Sequence, residues 1–280
     1  MRDSPSRAPG LDRSWQFFLG WAFGTSMVAH LVREQALYRR TWTKGVPRNE
    51  GFVNGKSTLP YRRTEASVKT KALLACGVIA GPLFVLVFLA EGATRAHYDP
   101  LRHPVSSLAF GESGWTQRAN FLVTGLLMLA FAIGLWRALR LLGGSTWGPL
   151  LVGACAVGLL GAGIFVADPM NGYPPGTPDK RLDYSAHGVL HDLFSTPVFL
   201  GLPVTCFIFS RWFAAQGKRR WTIYSAVTGV VLVSAFILSS AGFGQTEGLV
   251  DVAGLFQRVT LIVGFGWLTL LAVRFLRSPP

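Results

Sequence analysis

The chemistry-bearing residues of this chain gather at the ends of apolar runs. His187 and His191 are four apart, a spacing that puts two side chains on one face of a helix, with Ser195 one turn further along. Two imidazoles so placed can hold one metal ion. A catalytic zinc takes three protein ligands and keeps one position open for water, and His103 or Asp168 is the candidate third ligand. The same pair could instead handle protons or bind a substrate, or simply hydrogen-bond at an interface.

Asp168 directly follows an apolar run, near a helix C-terminus, where both burial and the helix dipole oppose its charge. A nearby cation would relieve both costs, and Arg258, Arg118 or a metal is the expected partner. The bland form of this reading is a salt bridge pinning the third apolar segment to the sixth. Arg258, preceded by Gln257, sits about two turns into the sixth segment. It could snorkel to lipid phosphate, pair with Asp168 or bind an anionic group. The run Tyr173-Pro174-Pro175-Gly176-Thr177 is stiff and is expected to form a lid or a rigid connection.

The elements that must position these groups are transmembrane. Of the 280 residues, 50% are apolar and only 15% are charged, against about 25% charged in ordinary soluble domains. Six runs approach the ~20 apolar residues that a bilayer crossing requires: 72–90, 119–136, 147–167, 193–210, 221–241 and 252–273. Lipid offers no partner to loose backbone groups, so each run must be helical. Pro82, Pro197 and Pro203 should bend their helices without ending them. The expected fold is an all-α, polytopic bundle over 72–276.

The net charge of +13 would suggest nucleic acid in a soluble protein, but here basic residues alternate with apolar runs and read as an orientation signal. One set of connections holds Arg62, Arg63, Lys69, Lys71, Arg137, Arg140, Arg211, Lys218, Arg219, Arg220, Arg274 and Arg277, with Glu65 the single acid from position 62 onward. The other set is longer and holds eight acids and most of the prolines and histidines that fall in the connections between spans. The expectation is therefore a cell-membrane protein with both ends of the six-span unit in the cytoplasm and its polar site outside. No nucleic-acid partner is expected.

Residues 1–71 form a basic extension of different character. Within it, 15–32 is a candidate seventh span, interrupted by Gly20, Gly24, Thr25 and Ser26. Interfacial placement and a non-native start are the other readings. Cys76, Cys155 and Cys206 each lie in a different apolar run, which suits small buried fillers rather than a disulfide framework. The third run is rich in glycine and alanine, which let helix backbones approach closely, so this helix is expected to be central in the bundle. Apart from Arg258, no Asp, Glu, Lys, Arg or His falls mid-span. Ion-coupled transporters usually need such charges, which makes a transporter the third-ranked reading.

At these residues the sequence resembles the domain of unknown function 998 family of six-span prokaryotic membrane proteins. The resemblance rests on His103-x-x-Ser106, Gly114-Trp115-x-Gln117 with Asn120, Asp168-Pro169 leading to Tyr173–Thr177, His187-x-x-x-His191, and Gly254–Arg258. It covers about 72–276 and implies a membrane-embedded helical fold, with no activity attached. A looser similarity of constellation links the chain to membrane hydrolases of the alkaline ceramidase type, whose zinc sites combine histidines, an aspartate and a serine. That likeness implies zinc held by His103, His187 and His191, with Asp168 and Ser106 as catalytic groups. Arg258, Gln257, Tyr173 and Arg118 would bind a lipid or amphiphile. The alternative is a non-enzymatic membrane protein that binds a lipid or a partner.

Overall fold

A computed structural model describes residues 60–142, 144–180 and 183–277. The apolar stretch 15–32 and the basic residues before position 60 lie outside the described residues. The described residues belong to one compact unit, Leu59–Pro280. Its six helices are α1 (Pro60–Thr94), α2 (Gly114–Leu141), α3 (Trp147–Ile164), α4 (Ala186–Ala215), α5 (Arg219–Phe243) and α6 (Ala253–Arg277). All six are long and apolar enough to cross a membrane. Most outrun their apolar cores, because a helix that satisfies its own backbone in lipid can continue into the headgroup region. α1 runs through Pro82, and α4 runs through Pro197 and Pro203.

Each helix packs on its neighbours in sequence, and α6 returns to pack on α1, so the six close into a ring. The interior is filled by Phe84, Phe88, Phe131, Phe209, Phe213, Phe265 and Trp267, all fully buried or nearly so. Lipid tails are as apolar as these rings, so tight packing rather than escape from water holds the ring together. α3 shows how. A Cβ on Gly158 would lie 2.4 Å from the Phe194 carbonyl oxygen, so only glycine lets α3 and α4 approach this closely. α3 is the most buried span, with 56% of its residues inside, but the expectation of a central helix is corrected: α3 packs between α2 and α4 as one member of the ring, because its small residues serve two close neighbours rather than a surrounding set. Cys155 and Cys206 are fully buried and Cys76 half-buried, in keeping with their filler role.

Polar groups inside the ring are mostly neutral. Asn120 Nδ2 donates to the Phe84 carbonyl (3.1 Å) and to Gln117 Oε1 (3.3 Å), tying α2 to α1. Trp267 Nε1 donates to Ser225 Oγ (3.1 Å). The ring presents two unlike ends. At one, short connections join α2 to α3 and α4 to α5; at the other, three longer connections cover the bundle over 95–113, 165–185 and 244–252. We refer to the latter as the loop face.

Candidate functional site

The loop face is organised around Arg258. α6 begins at Ala253, so Arg258 sits in its second turn, below the first connection and only 5% exposed. Its Nη1 donates to the His103 carbonyl (3.1 Å) and to the Gly254 carbonyl (3.0 Å). Its Nη2 donates to the Tyr98 hydroxyl, and that hydroxyl in turn reaches the Pro104 carbonyl at 3.0 Å. The same stretch of loop is gripped twice more by α6. Leu255 N–H donates to the Leu101 carbonyl (2.9 Å), and Gln257 Oε1 accepts the Val105 N–H (2.7 Å). The start of a helix has spare N–H donors, and here one of them is used to hold a loop. Gly254 makes this contact sterically possible: its Cβ would fall 2.6–2.9 Å from the carbonyl oxygens of His103, Pro100 and Leu101.

His103 is oriented from its other side. Its Nδ1 accepts the Asp99 N–H (2.8 Å), so the ring is neutral with its proton on Nε2. Burial, with the neighbouring Arg102 and Arg258 charges, lowers its pKa below the ordinary 6.5. Tyr173 packs against both rings, 5.1 Å from that of His103 and 5.3 Å from that of Tyr98. Burial pushes the Tyr98 phenol up to about 12 although Arg258 pulls it down. It therefore stays a neutral donor and acceptor. Ser106 is half-buried on the 3₁₀ turn Val105–Ala109 just beyond.

A second knot joins all three connections. Asn171 is fully buried with φ +56°, a left-handed conformation that asparagine tolerates better than most residues. Its N–H donates to the Asp179 carbonyl (2.9 Å), and its Oδ1 accepts from Gln245 Nε2 (2.9 Å). Arg102 Nε donates to the Asn171 carbonyl (3.2 Å). The rest of that guanidinium reaches Asp179 (2.8 Å) and Asp251 (2.6 Å). One arginine thus bridges the first, second and third connections.

Asp168 lies apart from both knots. Its carboxylate accepts the Ser185 hydroxyl (2.5 Å) and the Ser185 N–H (3.1 Å), while Ser185 Oγ caps α4 by accepting the Gly188 N–H (2.9 Å). A Cβ on Gly188 would overlap the carboxylate, at 1.9 Å from Oδ2. The expected cation partner is therefore corrected. Asp168 is held by a serine and the positive end of α4, not by Arg258 or Arg118, because the chain turns back there and puts a helix N-terminus beside it. Arg118 instead donates to the Gly163 carbonyl (3.3 Å) at the end of α3. Its charge suits that end of the helix.

His191 is 4% exposed and its Nδ1 lies 2.9 Å from the Phe165 carbonyl, so that nitrogen carries the proton. His187 is exposed, one turn back, with its ring against that of Phe165 (5.7 Å between centroids). Among the described residues no three His, Cys, Asp or Glu side chains are grouped as a metal ion requires. His103, His187 and His191 are engaged separately, His103 with the Tyr98–Arg258 knot and the other two with Phe165.

The sequence reading puts His103, Asp168, His187, His191 and Arg258 in one constellation, whereas the structure sets His103, Tyr173, Gln257 and Arg258 together and holds Asp168, His187 and His191 separately around the start of α4. The sequence reading misses Tyr98, Arg102, Asn171, Asp179 and Gln245, whose partners lie in distant connections. The one available signal was their density of polar and turn-forming types within the loops. The model of the protein of unknown function family DUF998 matches residues 78–274. The chain belongs to the DUF998 family. The match takes in both knots, the second half of α1, all of α2 to α5 and most of α6. No curated protein and no solved structure matches the chain.

Proposed function

We propose that this DUF998 member is a membrane-anchored binding protein whose loop face is a rigid receptor surface outside the cell, with the helix ends 60 and 277 in the cytoplasm. The observation that carries this reading is the buried Arg258 fork on the His103 carbonyl and the Tyr98 hydroxyl. A guanidinium spent on the protein's own loop supports pre-organisation of a surface rather than attack on a substrate. Tyr184 and Trp115 are exposed on the loop face, as are the acids Asp251, Asp183 and Glu247, a mixture that favours a protein partner over an anionic lipid headgroup.

A metal-dependent lipid hydrolase is the competing reading. It needs His103, His187 and His191 drawn around one ion, with Asp168 activating water and Ser106 close by. Metal analysis of the purified full chain separates the two. Binding predicts no stoichiometric zinc, no lipid turnover, and unchanged thermal stability in His187→Ala. One zinc per chain, lost in His187→Ala, would overturn it. Reporter fusions within 169–180 that score cytoplasmic would overturn the orientation.

A further inference from the structure

A groove at the opposite end of the bundle, independent of the loop face, carries a site of its own. It lies between the start of α1 and the end of α2, has a volume of about 400 Å³, and is lined by Lys69, Ala72, Leu73, Cys76 and Arg137. The α1 residues step along one helix face, with Lys69 at the rim, Ala72 and Leu73 one turn deeper and Cys76 two turns deeper. Seven residues of helix span about 10 Å, so the floor runs from the headgroup level into the hydrocarbon. Arg137, one turn before the end of α2, puts a second cation at the same rim. The helices meet closely beside the floor: a Cβ on Gly134 would lie 2.8 Å from Leu73 Cβ.

We infer that this groove binds one anionic glycerophospholipid, its phosphate between Lys69 and Arg137 and an acyl chain over Ala72, Leu73 and Cys76. Charge complementarity carries the choice of occupant. Among the described residues the charged groups lining the groove are these two cations, and the rest of the lining is small or apolar. A zwitterionic lipid brings its own cation to the rim and loses that advantage. A free phosphate leaves the floor unused. Near a membrane surface each basic group favours an anionic lipid by about 1 kcal/mol, or about fivefold in affinity.

Native mass spectrometry of the full chain in detergent, with phosphatidylglycerol and phosphatidylcholine supplied in equal amounts, tests this directly. The expected result is one retained phosphatidylglycerol, with the preference falling about fivefold in Lys69→Gln and in Arg137→Gln and vanishing in the double variant. Arg211→Gln with Arg220→Gln, a charge-matched change at the same end of the bundle, should leave the preference unchanged. Ala72→Phe fills an exposed position on the floor, and it should lower lipid retention with both cations intact. The inference is overturned if the double variant keeps the preference, if the control pair loses it equally, or if Ala72→Phe retains lipid as well as the parent. Displacement of the lipid by inorganic phosphate at equal concentration would also overturn it, marking a plain anion site.

Discussion

The guanidinium of Arg258 donates to the main-chain carbonyl of His103, 155 positions earlier in the chain, at 3.1 Å. This contact joins the first connection of the loop face to the last helix, with no acidic side chain in the arrangement. Hydrogen bonds from a charged donor contribute more than neutral ones, typically about 1.5–3 kcal/mol each. Removing the donor also leaves a buried carbonyl and a buried phenol short of a partner.

Arg258→Met, which keeps the length of the side chain and discards its donors, should therefore cost on the order of 2–4 kcal/mol. The measure is a lowered melting temperature in detergent, together with faster proteolysis within 95–104. Arg258→Lys should recover only part of the loss, since an ammonium cannot reproduce the planar fork.

Two glycines on α6 should respond oppositely to alanine. At Gly254 the new methyl would meet three backbone oxygens at 2.6–2.9 Å, and backbone cannot step aside as a side-chain tip can. Gly254→Ala should lift the first connection and destabilise by about 2 kcal/mol or more. At Gly266 nothing lies within 4 Å of the added atom. There the change should be neutral, or stabilising by up to about 1 kcal/mol from helix propensity. Thermal melts of the two variants beside the parent provide the comparison.

His103 should make the loop face acid-sensitive. Its folded pKa lies below 6.5, so between the two values the unfolded chain binds more protons than the folded one. Stability is fully present above pH 6.5 and falls as pH drops through the folded value. Protonation would place a proton on Nδ1, which now accepts the Asp99 N–H. Melting temperatures between pH 7.5 and 5 should decline in the parent and decline less in His103→Gln, whose amide oxygen can still accept.

Asp168→Asn should act on α4 rather than on chemistry. It halves the acceptor set facing Ser185 and removes a negative charge from a helix N-terminus, at a cost of about 1 kcal/mol. Amide exchange at 186–190 should quicken while exchange in α6 stays as it is. Uniform quickening across all six helices would contradict this local role.

The Arg102 knot should be carried by its buried member. Asp251 is 83% exposed, and surface ion pairs contribute only about 0–1 kcal/mol, so Asp251→Asn should change little. Asn171→Ala removes a fully buried amide that ties two connections and puts a Cβ-only residue in a left-handed conformation. It should cost about 2–3 kcal/mol, visible as coupled loosening of 170–180 and 244–252 in hydrogen exchange.

What the sequence by itself determined is the set of membrane spans. Lipid imposes a one-dimensional rule: a run of apolar residues must close its backbone hydrogen bonds internally, so helix number and approximate bounds follow from composition along the chain. The glycines of α3 announce close packing for the same local reason, and Arg258 stands out because a charge inside such a run needs an explanation. The tertiary structure alone decided what these residues do. Arg258 turned out to bind a carbonyl, Asp168 a serine and a helix end, and Arg102 two aspartates in other connections. A backbone carbonyl or a helix N-terminus has no residue type to read, and both come within reach only when the α6–α1 closure brings the three long connections over one end of the ring.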